Sequence, residues 1–530
     1  MILSLAAIGV PFIPGWTELR PFIAELTLIC TIVAVLLTPF FVKKSNTPCA
    51  LVALAGLVIA LVSLLLVGPN AGEHIEKFAP MLVADPIAFL WKVLLLLCVI
   101  GVILMWFATS ASDLHEGDGP EFFVLLLGAT TGMAFMSSAN NLLMLLISVE
   151  LASFPSYVLA GFRKTNKVGA EASLKYVLFG AATSAVMTYG MSLLYGLYGT
   201  LNLSELCRAM PATTGGTALL VVSIFALIVG IGFKIAAVPF HFWCPDVFEG
   251  ASIEVTTFLS VASKGAALVL LLRICSNISD AYNYQGHHGD LLSAPAVLAI
   301  VLGILGALSA TVGNTAAFAQ TNIKRLLAYS SIAHAGYMLC AMSLLLRTNN
   351  DVDPTALPAR TILFYLAVYL FMNLGAFTVA GLVLKQTGVE TLDGYAGLSK
   401  RNPLLAFCMM LFMFSFVGLP PLAGFTAKFN ILIALIQTGG WWWLLVAVIA
   451  VNTVLSLYFY MRVVRSMYLS EAKEPAFMGN PLGMAVSLMC AIMLIVMFIA
   501  TGPLSQLTSN YGHMQFSTAP RAAANVAIAK

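Results

Sequence analysis

Gly232-Phe233-Lys234-Ile235-Ala236-Ala237-Val238-Pro239-Phe240-His241-Phe242-Trp243 sets a lysine, a proline and a histidine inside an otherwise apolar run. The run extends back to about residue 217, long enough for a bilayer-crossing helix of about 20 residues. An ionisable group at mid-bilayer costs about 2.5–3.5 kcal/mol on insertion scales, so Lys234 needs a reason to be there. Pro239 has no amide hydrogen for the carbonyl of Ile235, and its ring crowds that turn. The helix is therefore expected to kink or break beside the lysine. Gly418-Leu419-Pro420-Pro421-Leu422-Ala423-Gly424-Phe425-Thr426-Ala427-Lys428 repeats the combination with two prolines. Its apolar run, 404–436, would measure about 50 Å as one straight helix, against a hydrocarbon core of about 30 Å. Broken helices at that depth are tolerated where they line a polar cavity.

The rest of the chain fits the same frame. Of 530 residues, 60% are apolar and 9% charged, where a soluble domain carries about 25% charge. Apolar runs recur at 22–42, 50–68, 86–109, 122–138, 142–161, 170–197, 217–242, 251–275, 292–316, 326–347, 360–385, 404–436, 441–468 and 482–503. The fold expected is therefore an all-α polytopic membrane protein of about fourteen transmembrane helices, the seventh and twelfth discontinuous. Strands are not expected, because open sheet edges cannot sit in lipid and barrel-type alternation is absent. The net charge of +3 excludes a nucleic-acid-scale basic surface. The nine cysteines are scattered and form no CxxC pair, which excludes a disulfide framework, a zinc site or an iron–sulfur site. No basic region precedes the apolar Met1–Val10, so no cleavable signal is expected. Lys and Arg are more frequent on loops after odd-numbered spans than on the opposite face. The positive-inside rule then puts those loops in the cytoplasm and both termini outside, in a cell inner (plasma) membrane.

Four charges fall deep inside spans: Glu150, Lys234, Lys264 and Lys428. A static ion pair would explain one lysine and leave two cations without a counter-charge. Proton transfer explains all four. Burial favours the neutral amine and a nearby carboxylate favours the ammonium, so a Glu150 that approaches and leaves Lys234 switches its proton affinity. The two lysine–proline stretches lie five spans apart, and a unit with an odd number of spans is inverted across the membrane when repeated. This divides the chain into 1–121 (helices 1–3), 122–275 (helices 4–8), 276–468 (helices 9–13) and 469–530 (helix 14 and a tail). Glu150 precedes Lys234 by 84 residues and His334 precedes Lys428 by 94. His334 is accordingly read as the second repeat's counterpart of Glu150.

Five stretches carry a family likeness: Val149-Glu150-Leu151 with Phe162-Arg163-Lys164; Glu171 to Tyr176; Phe233-Lys234 through Pro239 to Ala251; Asn322 to Ile332; and Gly424 to Phe429. Together they resemble the antiporter-like membrane subunits of proton-pumping NADH–quinone oxidoreductase (respiratory complex I), over roughly residues 80–470. Within those subunits the pattern is most similar to the subunit N branch. Subunit M typically carries Glu where this chain has Lys428, and subunit L continues into a long lateral helix for which the tail here is expected to be too short. The resemblance implies fourteen spans in two inverted five-helix repeats. It also implies functional roles for Glu150, Lys234, Lys264 and Lys428, with Lys175 and His334 on the same hydrophilic axis. NADH, FMN, iron–sulfur clusters and quinone would belong to partner subunits, and this chain would bind no cofactor or metal. Its partners would be neighbouring antiporter-like and small membrane-arm subunits and the lipid bilayer. A component of a multisubunit cation/proton antiporter of the Mrp type is the alternative with the same helix architecture.

Overall fold

The computed structural model of the protein describes residues 15–42, 46–68, 75–77, 81–109, 117–163, 166–212, 217–284, 294–346, 356–472 and 475–502. Most of the expected loops Asp113–Pro120 and Arg347–Pro358, and the end of the tail, lie outside these residues. Thirteen helices among the described residues are long and apolar enough to cross a membrane. They are Arg20–Phe41, Asn46–Val67, Pro86–Thr109, Gly119–Ser138, Leu142–Ala160, Lys167–Tyr198, Ala218–Ile235, Ile253–Tyr282, Ala294–Ala317, Ile323–Leu346, Leu357–Thr387, Trp442–Leu469 and Pro481–Ile499. Two shorter apolar helices, Pro403–Val417 and Ala423–Thr438, lie between the eleventh and the next. Joined end to end they form one broken crossing, which makes fourteen spans, numbered below in chain order. The seventh is also interrupted: Thr217–Ile235 is followed by a turn and the short helix Trp243–Gly250. One small departure from an all-helical chain is an antiparallel hairpin pairing Ile75–Lys77 with Leu82–Ala84, outside the spans.

Burial orders the spans by position. The apolar stretch of span 8 is wholly buried, and those of spans 10 and 11 almost so, whereas spans 1, 2, 6 and 13 bury only about a third of theirs. Spans 8, 10 and 11 are thus the interior, and the exposed apolar faces of the others are what lipid or neighbouring chains cover.

Two helical hairpins have the same internal construction. Spans 4 and 5 cross where Gly132 meets the backbone of Ala152, and a Cβ on Gly132 would come 2.4 Å from the Ala152 nitrogen. Spans 9 and 10 cross where Gly313 meets Ala333, with the matching distance 2.6 Å. Only glycine permits either approach. Spans 5 and 10 also start alike. Asn141 and Asn322 cap them by accepting from the amides of Leu143 and Lys324, and each forms an isolated bridge, to Asn202 and to Thr391. Gly132 and Gly313, Ala152 and Ala333, and Asn141 and Asn322 are each separated by the same interval of 181 positions, whereas the bridge partners outside the hairpins, Asn202 and Thr391, are 189 apart. The second hairpin is a register-exact copy of the first.

Candidate functional site

The broken helices stop for the same local reason. In span 7 the Ala237 amide donates to Gly232 O (2.8 Å) and the Ala236 amide to Phe233 O (3.0 Å), with Ala236 left-handed at φ +60°. In span 12 the Leu419 amide donates to Phe414 O (3.0 Å) and the Gly418 amide to Ser415 O (3.1 Å), with Gly418 at φ +87°. Both are Schellman caps, which satisfy the last carbonyls and turn the chain off its axis. The prolines therefore do not end these helices, as the sequence suggested. Pro239 and Pro421 come three residues after the left-handed residue, where they keep the helix from resuming. Val238–Pro239 and Pro420–Pro421 are both cis.

The exposed carbonyls at these ends gain partners. Trp243 Nε1 donates to Phe233 O at 3.0 Å. Lys428 Nζ donates to Val417 O at 3.0 Å, which sets a cation at the negative end of a helix dipole.

Lys234 is in the last turn before its break and is 2% exposed. Its Nζ makes no hydrogen bond and stands over the rings of Tyr157 (5.6 Å) and Tyr176 (5.8 Å). Tyr176 is stacked on Trp243. Glu150, half-buried on span 5, accepts a hydrogen bond from Ser184 of span 6. The expected Glu150–Lys234 pair stands open: no ion pair joins them.

Lys264 follows directly on a π-helical turn, Leu259–Ser263, inside span 8. Such turns recur at functional positions because they re-aim the side chains that follow. Its Nζ donates to Ser331 Oγ of span 10 and lies 3.5 Å from Cys244 Sγ of the short helix in span 7. His334, one turn beyond Ser331, has Nδ1 2.6 Å from Tyr365 Oη and Nε2 3.3 Å from Tyr460 Oη. Tyr460 Oη is in turn 2.5 Å from Ser330 Oγ. Lys428 Nζ lies 4.8 Å from the centre of the Tyr337 ring, whose hydroxyl accepts from Asn314 (2.8 Å). Lys234, Lys264, His334 and Lys428 are thus buried among ionisable and hydroxyl side chains that extend from the first repeat into the second, with the half-buried Glu150 on span 5 of the first.

Lys175 is apart from these residues. It pairs with Asp246 (2.8 Å) and Glu171 (2.9 Å) near the odd-loop face, where Arg325 also reaches Asp246 (2.7 Å) and Glu249 (2.8 Å). Close by, a polar cavity of about 360 Å³ is lined by Arg163, Asn166, Ser252, Lys324, Lys385 and Glu390, among others.

Sequence reading missed two buried ion pairs. Glu25 and Lys92 are 2.6 Å apart in spans 1 and 3, and Arg273 of span 8 grips both carboxylate oxygens of Asp85 at 2.6 and 3.0 Å. Lys92 and Arg273, which the sequence alone counts among the charges of the face opposite the odd-numbered loops, are therefore interior residues. Lys92 was detectable as a cation inside an apolar run, and its partner Glu25 likewise. Nothing in the sequence pairs Arg273 with a residue 188 positions away. The register of the hairpins also corrects the counterpart of Glu150: the matching position is Ser331, and His334 matches Ser153.

Among the described residues no group of three or more His, Cys, Asp or Glu is placed to hold a metal ion. Residues 139–456 match the family described as NADH:quinone oxidoreductase/Mrp antiporter, TM. The chain is 40% identical to NADH-quinone oxidoreductase subunit N of an Anaeromyxobacter species over 444 residues, covering 81% of this chain and 83% of that one. It is 35% identical to the subunit N of Desulforamulus reducens, covering 93% and 96%. Among solved structures, a chain of respiratory complex I from Thermus thermophilus superposes with TM-score 0.74 at 31% identity, over 92% of this chain and 99% of that one. A chain of the Mrp complex from a Dietzia species superposes with TM-score 0.79 at 19% identity, over 94% and 97%, a likeness of fold alone.

Proposed function

The chain belongs to the NADH-quinone oxidoreductase subunit N family, and from that premise we propose that it moves protons along its buried Lys/Glu/His series, coupled to quinone reduction in partner subunits. Relatives named subunit N match most of the chain, while the Mrp-type alternative is supported by fold similarity. The redox centres and the NADH, FMN and quinone sites belong, in this reading, to partner subunits. The chain would lie in a cell inner membrane with its odd loops in the cytoplasm and its termini outside. The two units 122–275 and 276–468 each contribute a half-path.

Glu150, Lys234, Lys264, His334 and Lys428 carry the proton in this reading, and Lys175 helps to hold the odd-loop end in place. The observation that supports it best is Lys234: a buried amine with neither hydrogen bond nor ion pair, standing over two aromatic faces. A purely structural cation would be expected to have a fixed counter-charge, as Lys92 and Arg273 do. A lysine without one can lose its proton when a carboxylate withdraws and regain it when the carboxylate returns. In the whole complex reconstituted in vesicles, Lys234→Met should lower the protons pumped per electron pair while the complex still assembles. Wild-type pumping in that variant would falsify the role given to Lys234.

A further inference from the structure

Lys264 and the second repeat meet at one directly bonded side chain, Ser331. Its hydroxyl has a single hydrogen, and that hydrogen is committed. Ser331 Oγ is 2.6 Å from Ala328 O, a carbonyl that can only accept, so the serine donates there. The contact with Lys264 Nζ must then have the lysine as donor and the serine lone pair as acceptor. Ser331 is fully buried, and its position in span 10 corresponds to that of Glu150 in span 5. In the first repeat this position carries a carboxylate held by a serine hydroxyl. In the second it carries a hydroxyl in contact with a lysine.

We propose that Ser331 is the relay through which the proton passes from Lys264 to the His334 end of the second repeat. The hydroxyl turns its hydrogen from Ala328 O towards that side and releases it, while taking one proton from Lys264. The lysine ends neutral, the acceptor gains one proton, and the serine is unchanged. His334 lies one helical turn on, on the same helix face as Ser331, with its ring nitrogens against the Tyr365 and Tyr460 hydroxyls. In the observed conformation the hydroxyl is parked on a backbone carbonyl, so transfer waits on its rotation. A carboxylate at this point would pair with Lys264 and hold the proton there, since opposite charges in a low-dielectric interior bind tightly.

The inference rests on the proton-path reading above. Its test uses the complete complex in vesicles, comparing Lys264→Met, Ser331→Ala and Ser331→Thr for proton pumping and for NADH-driven turnover. Ser331→Ala should lower coupled pumping at least about tenfold, the lower end of the factor that corresponds to losing a hydrogen bond to a charged group. Ser331→Thr, which keeps the hydroxyl, should recover most of it. A packing role predicts the reverse order, because Thr adds a methyl to a filled site, so Thr falling below Ala would overturn the relay. Normal pumping in Ser331→Ala with defective Lys264→Met would remove the relay and leave the lysine path intact. Normal pumping in both would remove the path itself.

Discussion

The buried lysines differ in what holds them, and that difference sets what each can do. Lys428 is fixed by a helix-end carbonyl and Lys264 by Ser331, whereas Lys234 makes no hydrogen bond. An amine without a fixed partner has the proton affinity most open to change by a moving charge. Glu150 is the charge on hand, held by the Ser184 hydroxyl. Gln at position 150 can still accept from Ser184 and removes only the charge. Glu150→Gln should therefore slow proton pumping several-fold while the amount of assembled complex, read by native electrophoresis, stays near wild type. Equal losses in both would assign Glu150 to assembly. These charges were legible in the sequence because an ionisable residue in an apolar run has little company. Ser331 was not, since serines are common in such helices and its meaning depends on which residue faces it.

At the scale of elements, the sequence marked both breaks through their prolines, yet the stops are the left-handed residues before them. Left-handed backbone costs an L-residue about 1–2 kcal/mol, which glycine escapes. Span 12 uses Gly418 there; span 7 uses Ala236 and bears the strain. Alanine at position 418 would meet both the backbone cost and the Lys428 side chain, whose Cδ lies 3.1 Å from the added Cβ. Gly418→Ala should thus destabilise the complex by about 1–2 kcal/mol and shift Lys428 off the Val417 carbonyl. Ala236→Gly should be neutral or slightly stabilising, because relief of strain opposes the added freedom of the unfolded chain. Thermal inactivation of the purified complex checks the pair. Similar effects of the two substitutions would show that the breaks are held by something other than their caps.

Across the whole molecule, the copied register of Gly132–Ala152 and Gly313–Ala333 shows that the hairpin of spans 9 and 10 repeats that of spans 4 and 5. Hydropathy could find the spans, since each must satisfy its own backbone in lipid. It could not find which spans lie innermost or which charges pair, because those depend on contacts between segments far apart in the chain. Arg273–Asp85 is such a contact, tying span 8 to the start of span 3, with Arg273 also donating to Ser137 O of span 4. Breaking a buried pair leaves an uncompensated charge, at a cost of about 3–5 kcal/mol, whereas removing both charges is often near neutral. Arg273→Met alone should sharply reduce assembled complex. Asp85→Asn beside it should restore much of the loss, because asparagine can keep the hydrogen bond that Asp85 accepts from the Ala88 amide. Protons pumped per electron pair in the double variant should match wild type, since this pair lies off the lysine series. Assembly that recovers without pumping would instead place Arg273 and Asp85 on the proton path.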